Sequence, residues 1–203
     1  MYNMIMLVTS DRFLNMPVMS LQTGSEIGRT AQEIIDPRNL SIVAYEIKGK
    51  TLDQHPSLLR IADVREIGPL GMIVDSSDEL VSPSDIISLK QIYEINFSLA
   101  NKSVIDEKKR KIGHVIGYTL TADNFIIQQL RVRRPLLRSF GDTELLIHRS
   151  QIVKVTDDLI IVKTPEIRHK EPAVQPLNVP QNFENPFRKT QQKEAIDQPS
   201  GRI

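Results

Sequence analysis

The sequence predicts a mainly β protein: two tandem small antiparallel β-barrels joined by a short helix, with a disordered C-terminal tail. Three observations predict it. The chain matches itself: Pro17 to Ile47, moved along by 85 positions, lands on Lys102 to Val132 without a gap, with Ile27-Gly28 on Ile112-Gly113, Asn39 on Asn124 and Ile42 on Ile127. After a loop three residues longer in the second copy the match resumes at an offset of 88, with Met72-Ile73-Val74 on Ile160-Ile161-Val162, the signature of a doubled structural unit. Within each copy, short apolar runs alternate with Gly, Pro, Asp and Asn turns, which is how strands joined by tight turns read. Helical spacing shows in a single linker stretch, Ile86, Ile87, Leu89, Ile92 and Tyr93.

In chain order, residues 1–16 form an N-terminal extension and 17–82 the first barrel domain. Its strands run over Pro17 to Leu21, about Ile27 to Ile35, Leu40 to Ile47, Leu58 to Ile67 and Met72 to Val74. Asp36-Pro37-Arg38-Asn39 turns the second into the third, because Pro fixes φ while Asp and Asn bond their own backbone. Gly68-Pro69-Leu70-Gly71 turns the chain back into the last. Residues 83–101 are a linker, in which Pro83-Ser84-Asp85 starts a helix over Asp85 to Tyr93 whose apolar stripe packs on one barrel or between both. Residues 102–165 repeat the plan, with strands over Ile112 to Thr121, Phe125 to Val132, Leu145 to Val155 and Leu159 to Val162; Arg133-Arg134-Pro135 ends the second of these. Residues 166–203 hold five of the twelve prolines amid Gln, Asn and charge, too little apolar surface to order a chain. A sheet this small hides its edges best by curling into a barrel.

The order of Ile112-Gly113, an Asp/Asn turn, an apolar strand, Leu145-Leu146-Ile147-His148-Arg149-Ser150-Gln151-Ile152-Val153, an acidic turn and Leu159-Ile160-Ile161-Val162 resembles the PRC-barrel family. The likeness covers about Pro17 to Pro165 and is better in the second copy. It implies a small β-barrel that docks proteins or takes part in RNA processing, with no shared catalytic residue. The chain departs from two familiar contexts of that barrel, since no membrane helix precedes it as in the photosynthetic reaction centre H subunit, and no separate domain precedes it as in the ribosome maturation factor. A tandem form of the stand-alone bacterial type is what the resemblance implies.

Composition narrows the classes. No run approaches the roughly 20 apolar residues of a membrane span, and Met1 to Thr9 lacks the charged lead and cleavage site of a signal peptide. The absence of cysteine excludes disulfides and thiolate metal sites and suits a reducing cytoplasm. The net charge of +1 hides a division: residues 1–101 carry 8 Lys/Arg against 13 Asp/Glu, residues 102–165 carry 12 against 7, and the tail 6 against 5. Oppositely charged copies attract each other within a chain, or between chains as a homo-oligomer.

The four histidines, His55, His114, His148 and His169, stand far apart without metal-ligand spacing, and Asp78-Glu79 and Asp157-Asp158 lie in turns where adjacent side chains diverge. The sequence therefore points to no catalytic, cofactor or metal site. Its sharper candidates are partner-binding: Lys108, Lys109, Arg110 and Lys111 at one hairpin tip, Arg131, Arg133, Arg134 and Arg138 at the next strand end, and Phe183 and Phe187 as anchors in the tail. A cytoplasmic, non-enzymatic adaptor with an unidentified protein partner is the leading expectation; an RNA-processing or ribosome-assembly factor using the basic rim on RNA or a ribosomal component is the alternative.

Overall fold

The computed structural model describes residues 6–50, 52, 55–135 and 144–163. The first sheet contains β2 (Pro17–Ser20), β3 (Ser25–Asp36), β4 (Ser41–Lys48), β5 (Ser57–Arg60), β6 (Glu66–Gly68), β7 (Gly71–Val74) and β8 (Leu80–Val81) in the order β6-β7-β2-β3-β4-β5-β8. Helix α1 (Ile87–Ile95) follows it. The second contains β9 (Ser103–Asp106), β10 (Lys111–Thr121), β11 (Ile127–Arg133), β12 (Glu144–His148), β13 (Ile152–Val155) and β14 (Leu159–Val162) in the order β12-β11-β10-β9-β14-β13, and β1 (Leu7–Thr9) pairs with β10. Apart from β1 and β8 the two paths are the same path. Val18 lies opposite Gly28 and Met72, and Val104 lies opposite Gly113 and Ile160. Equivalent 3-10 turns, Ile61–Asp63 and Arg149–Gln151, stand between the fourth and fifth strands of each copy, 88 positions apart.

Mainly β with a short helix is what the chain adopts. Two features of the sheets go beyond the sequence pattern. Among the described residues the outermost strands of each path are not laddered to one another. In each copy the last strand also returns alongside the first in the same direction, so β2–β7 and β9–β14 are parallel.

The gapless register of the first strand is corrected. Val18, not Met19, is the counterpart of Val104, because the β9–β10 hairpin is one residue shorter than the β2–β3 hairpin. Asn15 and Asn101, 86 apart, share left-handed φ values of 56° and 61° ahead of these strands.

Buried positions follow the repeat nearly one for one: Ile35 and Leu120, Leu40 and Phe125, Tyr45 and Leu130, Ile47 and Val132, Leu59 and Ile147, Val74 and Val162. They form one core cluster across both copies, joined by Phe13 and Leu99. The copies meet at the turns after β3 and β10 through reciprocal bonds between equivalent residues. Ile42 N–H donates to Phe125 O at 3.0 Å and Ile127 N–H to Leu40 O at 2.9 Å; Ser41 bridges Ile126, and Tyr118 Oη donates to Glu33 Oε1 at 3.1 Å. Ser41 and Ile126, and Glu33 and Tyr118, are each 85 positions apart, and the same shift exchanges the two backbone bonds, which is the contact pattern of a local two-fold.

Helix α1 begins two residues later than expected. Ser82 and Asp85 form a capping box for a separate 3-10 turn, Pro83–Asp85, and the helix runs to Asn96, whose left-handed conformation ends it. Its apolar stripe packs on one copy, the first. Leu89 and Ile92 pack on Ile34, Ala44 and Leu58 of the first sheet, in a second, smaller core, while Ile87 faces solvent. The tail, with its expected disorder, lies outside the described residues.

Candidate functional site

The β9–β10 hairpin is built around Asp106. Its side chain is buried, and its Oδ1 accepts the N–H groups of Lys108 at 3.0 Å and Arg110 at 2.8 Å. The Arg110 guanidinium closes on Oδ2 at 2.6–2.7 Å. Burial pushes the Asp106 carboxyl up, but the Arg110 N–H, the Arg110 guanidinium and the Lys108 N–H together outweigh it and hold it below the usual carboxylate value. Lys109 takes the left-handed residue of the turn, at φ 60°. A rigid tip results, on which Lys108, Lys109 and Lys111 are exposed.

Strand register brings further cations to the same end. His114 pairs with Arg133, so the end of β11, with Arg133 and Arg134, lies beside the start of β10. Val162 pairs in parallel with Asp106, which sets Lys163 next to the hairpin; its N–H donates to Gln151 O at 2.8 Å. Lys163 was not singled out in the sequence, because the parallel β9–β14 pair that brings it there leaves no local trace. Lys108, Lys109, Lys111, Arg133, Arg134 and Lys163 form no ion pair among the described residues. Arg110 and Arg131 differ: Arg110 is held by Asp106, and Arg131 reaches Glu144 at 3.3 Å on the outer sheet face. Arg138, Phe183 and Phe187 lie outside the described residues.

The first copy makes the same end with Lys48 alone of these cations. Its hairpin tip is Gln22-Thr23-Gly24-Ser25, with Ser20 standing where Asp106 stands. Lys48 and Gly49 correspond to Arg133 and Arg134, and Asp75 to Lys163. Asp75 is paired with Arg65 at 2.6 Å, and Glu26 with Arg29 at 2.8 Å. The backbone is thus indifferent to the cations. Side by side they repel one another, so the fold alone gives no reason for them.

Elsewhere, a cleft of about 340 Å³ between α1 and β3 is lined by Gln32, Glu33, Tyr93, Glu94 and Asn96. One of about 360 Å³ lies where Arg60 and Ile86 face Asn124. Glu33 is engaged by Tyr118 and Arg60 by Asp63. Burial, with Glu33 adding to it, pushes the Tyr45 and Tyr118 hydroxyls up, and the Tyr45 hydroxyl has no partner among the described residues. Among those residues no group of three His, Asp or Glu is placed to hold a metal, and no helix is long and apolar enough to cross a membrane.

The fold and this surface define a class: an internally doubled β-sheet protein with one strongly basic end. No family model matches the chain and no curated protein matches it. Among solved structures, the crystal structure of a putative 16S ribosomal RNA processing protein, RimM, from Pseudomonas aeruginosa is similar over 79% of this chain and 98% of that chain, at 16% identity and a TM-score of 0.28. A score that low does not establish a common fold, so a functional reading has to come from the surface of this chain.

Proposed function

We propose that the chain is a cytoplasmic, non-enzymatic RNA-binding factor of the RNA-processing or ribosome-assembly kind, which grips the phosphate backbone of structured RNA with the basic end of its second copy. The observation that carries the reading is the contrast between copies: one hairpin and strand-end scaffold occurs twice, and only the second bears Lys108, Lys109, Lys111, Arg133, Arg134 and Lys163. Such a cluster attracts phosphates by releasing their counterions. No aromatic stands among these residues, and single-strand binders rely on aromatics to stack bases. Double-stranded RNA, which is recognised through shape and backbone, fits better.

Fluorescence anisotropy with a labelled RNA stem-loop tests this. With about four phosphates engaged, affinity falls by roughly 100-fold between 50 and 200 mM salt. Replacing Lys108, Lys109 and Lys111 together by Glu abolishes binding without moving the melting temperature, whereas Gln22→Glu with Thr23→Glu in the first copy changes nothing. Absence of saturable RNA binding at low salt, or binding that survives the triple replacement, refutes the proposal.

A further inference from the structure

The two copies differ at one sheet edge. In the first, β8 covers the outer edge of β5, pairing Leu58 with Val81 and Leu59 with Leu80, and α1 then lies over Leu58, which is fully buried. In the second, β12 occupies the place of β5, since Leu130 pairs with Ile147 as Tyr45 pairs with Leu59. Among the described residues nothing covers its outer edge. Leu146, the counterpart of Leu58, is 59% exposed.

The backbone of this edge is oriented for pairing. His148 N–H donates to Gln151 Oε1 at 2.9 Å, away from β11. Alternation along an antiparallel ladder then turns the N–H and C=O of Leu146 and Glu144 to the same outer side. Edge strands are ordinarily guarded by charged side chains, proline or a bulge; β12 has the charge of Glu144 at its start, and Leu145-Leu146-Ile147 has no such guard. The side chains above the edge set the chemistry of what fits: Arg131 lies directly across from Leu146, and Arg133 across from Glu144. Gln129 and Thr119 stand where the first copy has Ala44 and Ile34. Glu144 holds Arg131 at 3.3 Å, which leaves Arg133 as the cation of this polar face without an ion-pair partner among the described residues, and such a face does not suit an apolar helix such as α1. It suits an extended strand carrying carboxylates.

We infer that β12 is a docking edge for an acidic, extended segment of a partner protein, which adds a strand beside Glu144–Ile147 as β8 does beside β5, sets an apolar side chain on Leu146 and points a carboxylate at Arg133. Main-chain bonds supply the affinity of such strand addition and alternate side chains the specificity. The inference shares Arg133 with the RNA reading but is otherwise argued from the β12 edge, and it does not depend on that reading.

The full chain with a short capped peptide of alternating valine and glutamate is the test, read by amide exchange and amide chemical shifts. Expected are fast exchange at Leu146 in the free protein, saturable protection of Leu146 with peptide, and about tenfold weaker binding when the peptide's alternate amides are methylated or its glutamates are replaced by lysines. Leu146→Ala weakens binding several-fold, and its side chain is exposed enough for folding to survive. Protection of Leu146 in the free protein at every concentration means that the chain covers its own edge; protection that grows with concentration means that a second copy does. Either result, or failure of the peptide to bind, overturns the inference.

Discussion

Gly113 shows how a single atom decides which residue a position accepts. A Cβ there would lie 2.0 Å from Arg133 O and 2.9 Å from Val132 Cγ1, and one on its counterpart Gly28 would lie 2.9 Å from Lys48 O and 2.7 Å from Ile47 Cγ2. In both copies the glycine sits just after a register shift in the ladder to the preceding strand, and the atoms that crowd it belong to the strand on its other side. The recurring Ile-Gly pair, read in the sequence as a mark of duplication, thus has a steric cause. Gly113→Ala should destabilise the protein by about 3 kcal/mol, since the atoms in the way are backbone and cannot swing aside. Gly117→Ala, whose new methyl meets nothing nearer than the far end of Arg131 at 3.8 Å, should be neutral within about 0.5 kcal/mol. Paired urea unfolding curves of the two variants check both, and equal losses would remove the steric account.

At the scale of elements, local pattern sets what each segment becomes and long-range pairing sets where it goes. Strands β3, β4, β10 and β11 were legible because their alternation extends over seven to twelve residues. So was the turn after β3, where Asp36 Oδ1 takes the Arg38 N–H at 3.0 Å. The one-residue difference between hairpins was hidden, because it falls in turn residues that carry no apolar pattern to expose it. Parallel pairing of β2 with β7 and of β9 with β14 was hidden for a different reason: nothing within a four-residue strand specifies its partner's direction. At the basic end the hairpin and strand-end cations were legible as charge runs, whereas Lys163 arrives only through that pairing. The start of α1 was misplaced because a Ser/Asp capping box suits a 3-10 turn as well as an α-helix. What α1 does follows from its stripe. Leu89 is 4% exposed and Ile87 78%, so Leu89→Ala should cost about 2–4 kcal/mol and Ile87→Ala under about 0.5 kcal/mol, as measured by thermal melts of each variant. A cost at Ile87 comparable to that at Leu89 would mean that the helix buries a different face.

For the whole molecule, the decisive fact is that the copies exchange arms as well as contacts. The segment before the first copy crosses to pair β1 with β10 of the second, with Val8 opposite Leu120. It then returns to the first, where Thr30 Oγ1 donates to Phe13 O at 2.5 Å. The segment before the second copy lays α1 on β3 of the first, the counterpart of β10. At the junction Phe125 packs on Phe13 at 4.8 Å and on Tyr45 at 6.2 Å between ring centroids. Arg149 of the second copy donates to Asn39 O and Leu40 O of the first at 2.5 and 3.2 Å. A unit of about 65 residues buries too little surface to be comfortably stable alone, and here each half leaves the hydrophobic cover of its turn region to the other. Residues 102–165 expressed alone should therefore lack a cooperative thermal transition, while the full chain melts in a single one. Phe125→Ala in the full chain should lower the stability of that one transition by about 3–5 kcal/mol without splitting it. Two resolved transitions, or a cooperatively folded isolated copy, would show that the halves are independent domains in contact and not one core folded from a doubled sequence.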